Sequence, residues 1–447
     1  VVYIISKTGK PLMPTNRLGK VRHLLKDGLA KVVQRTPFTI QLLYDSDEYT
    51  QPITLGVDAG SKTIGLSATL VPPSNGRTET DKKEVFSAEV QLRTDIVDLL
   101  STRRQNRRTR RSHKTRYRKV RFLNRRIDKG WLVPSIRHKI ATHLTMVDKI
   151  HKILPITKII VEVAQFDIQK IKNPEISGVE YQQGVQLGFF NVREYVLYRD
   201  DHKCQLCKGK SKDKILNVHH IESRKTGGNA PNNLITLCET CHKKHHEGDI
   251  KLKIKRGTIF KDPAFMGIMR WALYNTLKEK YPNVLMTYGY ITKNTRIANN
   301  LPKNHRTDAL CITGNPTVVG LDTWYYCKKV RCQNRQIHKN TINKGGARKI
   351  NQLPFIVFDI RLFDKVKYNN QECFVFGRRL SGSFDIRLLD GTTVNAGVGY
   401  KKVKVLEQRK TILIESRKAI PPTADIDQTQ FETDQQPVGF LAEKDHE

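Results

Sequence analysis

A chain of 447 residues is long enough for roughly two to four compact domains, and its 38% hydrophobic and 8% aromatic content is that of ordinary globular protein. Lys and Arg total 79 against 43 Asp and Glu, a net charge of +36 that favours a polyanionic partner, although ribosomal and chromatin proteins share such a balance. No run of about 18 apolar residues occurs, so no membrane span is expected, and VVYIISKTGKPLMP lacks the apolar core and cleavage site of a secretory signal.

Residues 1 to 51 read as a small basic unit, with strand-like VVYIIS and FTIQLLY flanking a helical VRHLLKDGLA. From Ile53, ITLGVDAGSKTIGLSATLV reads as strand, tight glycine turn, strand. Next come 13 basic residues within 103–126, uninterrupted by any acid: Arg103, Arg104, Arg107, Arg108, Arg110, Arg111, Lys114, Arg116, Arg118, Lys119, Arg121, Arg125 and Arg126. Pro134 and Ser135 open a helix with apolar Ile136, Ile140, Leu144, Val147 and Ile150, which feeds the apolar strand KIIVEVA. A Cys/His-rich segment follows at about 190–250, then helix-like stretches at Phe265–Lys280 and His305–Ile312. Between Phe355 and Glu415 the runs FIVFDIRL, ECFVFG, SFDIRLL and DGTTV alternate with turns and predict a small antiparallel barrel. The last thirty residues are polar and read as a flexible tail.

Cys204-Gln-Leu-Cys207 and Cys238-Glu-Thr-Cys241 each place two thiolates on one ion, and the two pairs together make a closed tetrahedral zinc site in a reducing compartment. His219, His220, Asn233-Leu234 and His242 lie between and just after them, free for other work. Imidazole suits a base that takes a proton from water near neutral pH. A zinc ribbon that only binds nucleic acid is the alternative. The series CxxC, HHI, NL, LCxxCH resembles an HNH endonuclease of the zinc-stabilised ββα-metal class. That resemblance implies His220 as general base, His219 and His242 on one catalytic divalent cation, and Asn233 bracing the loop. His246, in CHKKHH, finds no clear counterpart.

Three carboxylates stand where charge is costly. Asp58 ends an apolar strand before a glycine turn, and Glu162 interrupts IIVEVA. Asp308 lies three residues after His305 on one helical face. Singly, each has a structural explanation as a turn cap, an edge residue or a solvated helix acid. Their order resembles the RuvC, RNase H-like nuclease fold, split so that the HNH unit lies between Glu162 and Asp308. The resemblance implies that Asp58, Glu162 and Asp308 bind two Mg²⁺ ions, with His305 as base or outer ligand.

The arginine-rich stretch, as a helix, would project charge around all faces and bridge two nucleic-acid strands. Joined to Pro11-Leu12-Met13-Pro14, the split RuvC segments and the inserted HNH unit, it gives the order of IscB, the transposon-encoded relatives of type II CRISPR effector nucleases. The likeness spans roughly residues 1–315. It implies an α/β multidomain protein: a PLMP domain at 1–51, RuvC segments at 52–92, 129–175 and 253–315, an Arg-rich bridge helix at 93–128 and an HNH domain with linkers at 176–252. A C-terminal RNA and target-adjacent-motif region with a small β-barrel would fill 316–415, and a tail 416–447. It further implies a cytoplasmic prokaryotic enzyme with access to the nucleoid, monomeric within a ribonucleoprotein, using a guide RNA (an ωRNA) to select double-stranded DNA. HNH, with one Mg²⁺ and a structural Zn²⁺, would cut the paired strand, and RuvC the displaced strand. A protein-only homing or junction-resolving nuclease, or a catalytically idle nucleic-acid-binding protein, would share these motifs. Cys311, Cys327, Cys332 and Cys373 read as packing residues or surface thiols, and Trp131, Trp271 and Trp324 as core anchors.

Overall fold

The computed structural model describes residues 1–70, 82–112, 130–163, 186, 188–222, 229–250, 252, 254, 257, 261–332 and 353–419. It divides into two compact units, one formed by Val1–Ala164 with Met269–Glu447 and the other by Gln165–Ile268. No helix among the described residues is long and apolar enough to cross a membrane.

The first unit opens with β1 (Tyr3–Ile5), α1 (Leu18–Lys26), β2 (Ala30–Gln34) and β3 (Thr39–Leu42). The strands form a sheet of order β1-β3-β2 over a core of Val2, Leu12, Val21, Ala30, Ile40 and Leu42. The predicted helix stops at Lys26, because Gly28 takes φ +67° and ends it, leaving Ala30 to begin a strand. β4 (Ile53–Ala59), β5 (Thr63–Leu70) and β6 (Lys83–Gln91) then make an antiparallel meander. After α2 (Ile96–Ser112) and α3 (Pro134–His151), β7 (Ile156–Glu162) returns parallel to β4. Proline at the N-terminus of α3 costs nothing, since the amide it lacks has no helical partner there.

The second unit holds α4 (Val192–Arg199), the antiparallel pair β8 (Leu216–His220) and β9 (Leu234–Cys238), and α5 (Glu239–Glu247). Asn191 caps α4 by accepting from the Glu194 amide at 2.9 Å. Buried Asp200 accepts from the Thr236 amide at 2.8 Å and tethers α4 to β9.

The chain rejoins the first unit along α6 (Lys261–Lys280), followed by β10 (Val284–Thr287), α7 (Gly289–Ala298), α8 (His305–Ile312) and β11 (Thr323–Lys329). Next are β12 (Lys365–Tyr368), β13 (Gln371–Arg378), β14 (Ser383–Arg387), β15 (Thr393–Gly399), β16 (Lys404–Glu407) and β17 (Ile412–Lys418). One mixed sheet of seven strands, ordered β10-β7-β4-β5-β6-β11-β17, gathers segments from across the sequence. Its last two strands come from the stretch assigned to the C-terminal region, and β17 carries residues 416–418 of the expected tail into the sheet. Residues 420–447 lie outside the described residues.

In place of a closed barrel, the described C-terminal strands form an antiparallel sheet of order β15-β14-β13-β12-β16. FIVFDIRL is not one of them. Positive φ at Phe358, Asp359 and Phe363 folds it into turns, which Asp364 holds by accepting from the amides of Arg361 and Arg409, both at 2.8 Å.

Candidate active sites

Asp58 reaches its position because Ile53, Leu55 and Val57 are fully buried and draw β4 into the middle of the seven-stranded sheet. Asp58 pairs across the ladder with Gly65, and α8 lies directly over that pair. A Cβ on Gly65 would come within 1.9 Å of the His305 carbonyl oxygen, and one on Gly56 within 2.2 Å of the Ala309 carbonyl. Only glycine permits so close an approach of helix to sheet. His305, in the first turn of α8, meets Asp58 through an Nδ1–Oδ2 contact of 2.7 Å, and that bond raises the imidazole pKa.

Asp308 sits one turn along α8. Burial raises its carboxyl pKa and nearby Asp58 adds to the effect, while Arg296 stands 3.1 Å away. Glu162 ends β7, the strand next to β4. Burial, with added repulsion from Asp58 and Asp308, pushes its pKa up to about 7 against the opposing effect of Thr292. The fold thus brings Asp58, Glu162, His305 and Asp308 into one electrostatically coupled cluster. The three carboxylates are not packed within the 4.8 Å that encloses the cysteine and histidine donors of the second unit. An all-oxygen set suits hard divalent cations, and two ions about 3.5–4 Å apart need a wider mouth than one.

In the second unit the sulfurs of Cys204, Cys207, Cys238 and Cys241 lie within 4.8 Å of one another, all as free thiols. Cys207 and Cys238 Sγ are 3.8 Å apart. Tetrahedral zinc with Zn–S near 2.3 Å requires an S–S edge of about 3.8 Å. The donor set therefore fits zinc.

β8 carries His219, buried, and α5 carries His242 and His246 on successive turns. The ring nitrogens of these three lie within 4.8 Å of one another. Burial, reinforced by the surrounding imidazoles, pulls the His219 pKa down to about 4, so it keeps a lone pair at neutral pH. The motif spacing gives His246 no clear counterpart. Its i+4 spacing from His242 on a helix was the available signal. Neighbouring His245 turns its Nδ1 to the Ile250 carbonyl at 2.9 Å. His220, next along β8, engages Asn229 Oδ1 through Nε2 at 3.0 Å. Fully buried Asn233 accepts from the Glu222 amide at 2.9 Å and donates to its carbonyl at 3.1 Å, clamping the end of the β8 loop.

Arg103, Arg104, Arg107 and Arg108 are exposed on α2. Arg110 and Arg111 belong to the same helix, but their side chains lie outside the described residues, as do Lys114, Arg116, Arg118, Lys119, Arg121, Arg125 and Arg126 entirely. The tryptophans differ from expectation. Trp131 and Trp271 are 49% and 46% exposed, since each stands on a helical face or approach that the core does not cover. Trp324 lies under the Arg306 guanidinium, 3.9 Å from the ring centroid. Cys311, Cys327 and Cys373 are buried and Cys332 partly so, with no metal-binding partners among the described residues.

Residues 2–184 match the family model described as RRXRR protein, and residues 204–248 match the HNH endonuclease model. The two matches together support a likeness to IscB and Cas9 proteins. Residues 204–248 are thus similar to HNH endonuclease domains, which supports nuclease activity. Over 59 residues the chain is 37% identical to Anaredoxin of Nostoc sp. strain PCC 7120, covering 13% of this chain and 74% of that protein. Among solved structures it is similar to Streptococcus thermophilus Cas9 in complex with the GGAA PAM, at 13% identity and TM-score 0.31, covering 48% of this chain and 31% of that one. The same Cas9 with the AGGA PAM gives 13% identity and TM-score 0.29, covering 46% and 30%, and with the AGAA PAM 11% and 0.31, covering 57% and 32%. The chain spans about a third of the length of those Cas9 chains.

Proposed function

We propose that the protein is an RNA-guided DNA endonuclease, in which a structured guide RNA selects double-stranded DNA beside a short target-adjacent motif. The observation that carries this reading is the meeting of Asp58, Glu162, His305 and Asp308 in a chain that also holds an HNH domain. Two hydrolytic centres in one chain suit two antiparallel strands. The net charge of +36 and the arginines of α2 suit a large RNA partner.

In the HNH domain, His219, His242 and His246 would hold one divalent cation. His220, turned by Asn229, would take the proton from water attacking the guide-paired strand. In the RuvC-like core, Asp58, Glu162 and Asp308 would hold two Mg²⁺ ions. Such cations, when bound, lower the pKa of water and stabilise the leaving oxygen. With its Nδ1 engaged by Asp58, His305 has Nε2 left to exchange a proton with water at the displaced strand. The domain scheme follows: PLMP domain 1–51, RuvC-like segments 52–92, 129–175 and 253–315, bridge 93–128, HNH 176–252, and a nucleic-acid-reading region 316–415 that lends β11 and β17 to the core sheet.

Sequencing the RNA bound to the purified full chain tests the proposal. A defined structured RNA is expected, and a nuclease-treated, RNA-free preparation should lose site-specific cutting. Cutting at one chosen sequence without RNA would instead establish a protein-only nuclease.

A further inference from the structure

The turn between β10 and α7 is fastened to Glu162 on its inner side. Thr287 pairs with Glu162 in the sheet. A Cβ on Gly289 would stand 3.0 Å from Glu162 Oε1, and the Val163 amide donates to the Thr287 carbonyl at 2.9 Å. The outer side of this turn carries Tyr288 and Tyr290, whose rings are nearly parallel at 12° with centroids 6.1 Å apart. They are 39% and 66% exposed, and neither hydroxyl has a partner among the described residues. Lys293 is exposed one turn beyond Tyr290 on the same side of α7, with no ion pair among the described residues. An aromatic pair thus stands open to water beside the half-buried Glu162 carboxylate, outside the core.

We propose that Tyr288 and Tyr290 form a stacking ledge for an unpaired nucleobase of single-stranded DNA, with Lys293 meeting a neighbouring phosphate, so that the strand is led to the Asp58–Glu162–Asp308 cluster. The inference rests on the reading of that cluster as a hydrolytic site. Stacking needs a free base face, so the ligand is a single strand and not a duplex. Because Thr287, next to Tyr288, is paired with Glu162 in the sheet and accepts from the Val163 amide at 2.9 Å, the ledge is registered to that carboxylate by backbone. Every base has a π-face, so the ledge holds a strand without selecting its sequence.

The test uses the full chain and a single-stranded DNA carrying 5-iodouracil, which photocrosslinks to aromatic rings it stacks on. The expected adduct maps by mass spectrometry to the peptide containing Tyr288 and Tyr290. It persists in the Phe variants and is lost in Tyr288→Ala/Tyr290→Ala. The Ala variant should also cut single-stranded DNA roughly 5- to 100-fold less efficiently at limiting substrate. Lys293→Ala should lower the salt slope of binding by about 0.7. Adducts confined to other peptides, together with unchanged cleavage by the Ala variant, would overturn the ledge and leave the pair as a protein-docking surface. Asp58→Ala separates the two readings. It should keep the adduct while losing the cleavage, whereas an adduct with undiminished cleavage would remove the hydrolytic reading of the cluster and the guiding role with it.

Discussion

Asp58 and His305 are 247 positions apart in the chain and 2.7 Å apart in the structure, joined carboxylate oxygen to imidazole Nδ1. β4 delivers the carboxylate and α8 the imidazole, and the glycines between them let the two elements touch. Asp58→Ala should therefore remove both a carboxylate from the cluster and the group that orients His305. Cleavage of the displaced strand is expected to fall by about 10²- to 10⁴-fold while the guide-paired strand is still cut. His220→Ala should produce the opposite nick. Strand-specific end labelling reads both, and double-strand breaks at the normal rate by either variant would refute the assignment.

The contact depends on Gly65. Adding a methyl group there would drive Cβ to 1.9 Å from the His305 carbonyl, so α8 must shift or the sheet must bend. Gly65→Ala is expected to destabilise the protein by about 3 kcal/mol, the upper end for overpacking. It should also depress displaced-strand cutting at temperatures where the chain remains folded. Thermal melts and nicking rates measured together would show it; an unchanged melting temperature would mean that the helix is not seated as described.

What could be read from the sequence and what could not divide along a physical line. α8 is legible because Asn304 caps it, accepting from the Thr307 amide at 2.8 Å, and because its apolar residues keep helical spacing. The two CxxC pairs are legible because zinc chemistry fixes local spacing. β6, β11 and β17 carry no local mark of membership in the central sheet, since their order is set by distant pairings such as Tyr325 with Ala88 and no local pattern encodes a strand's neighbour. The carboxylate cluster has the same character. Asp58 and Glu162 stand out locally as charges in apolar strands, but their meeting with Asp308 depends on the β7-β4-β5 order and on α8 lying over β4 and β5, which no local pattern encodes. The exposed tryptophans were misjudged for a different reason: residue type predicts average burial, not which helical face the core covers.

His246 offers the third nitrogen of the histidine cluster and directly follows His245, whose ring is occupied by the Ile250 carbonyl. His246→Ala is expected to weaken binding of the HNH-site cation by at least about tenfold, comparable with the loss of supporting groups at other metal sites. Raising the divalent-ion concentration should restore guide-paired-strand cutting in this variant but not in His220→Ala. A cation dependence identical to that of the unaltered protein would exclude His246 as a ligand.

Buried His143 on α3 links stability to pH. Its Nδ1 donates to the Lys139 carbonyl at 2.8 Å, its Nε2 has no partner among the described residues, and burial pulls its pKa down to about 4. Between that value and the unfolded value of about 6.5, the unfolded chain binds a proton that the folded chain refuses. Stability from this group is full above about pH 6.5 and is lost as pH falls toward 4, by about 3 kcal/mol. His143→Leu should flatten the denaturation midpoint across that window relative to the unaltered chain. Parallel curves would show that the imidazole does not titrate in the fold.

The zinc site makes the last prediction, since it concerns which part of the chain depends on metal. Cys204, Cys238 and Cys241 are buried at the centre of the small unit's core with Ile235 and Leu237, so the thiols take the place that apolar side chains fill elsewhere. A unit of this size has few such residues, and structural zinc contributes on the order of 10–16 kcal/mol in small domains, more than the net stability of most. Chelation, or Cys204→Ser, is expected to release one zinc per chain and to expose the amides of β8 and β9 to hydrogen exchange. The β4 and β5 amides, which belong to the seven-stranded sheet, should stay protected. Continued protection of β9 after the metal has left would show that the small unit's own core suffices to fold it.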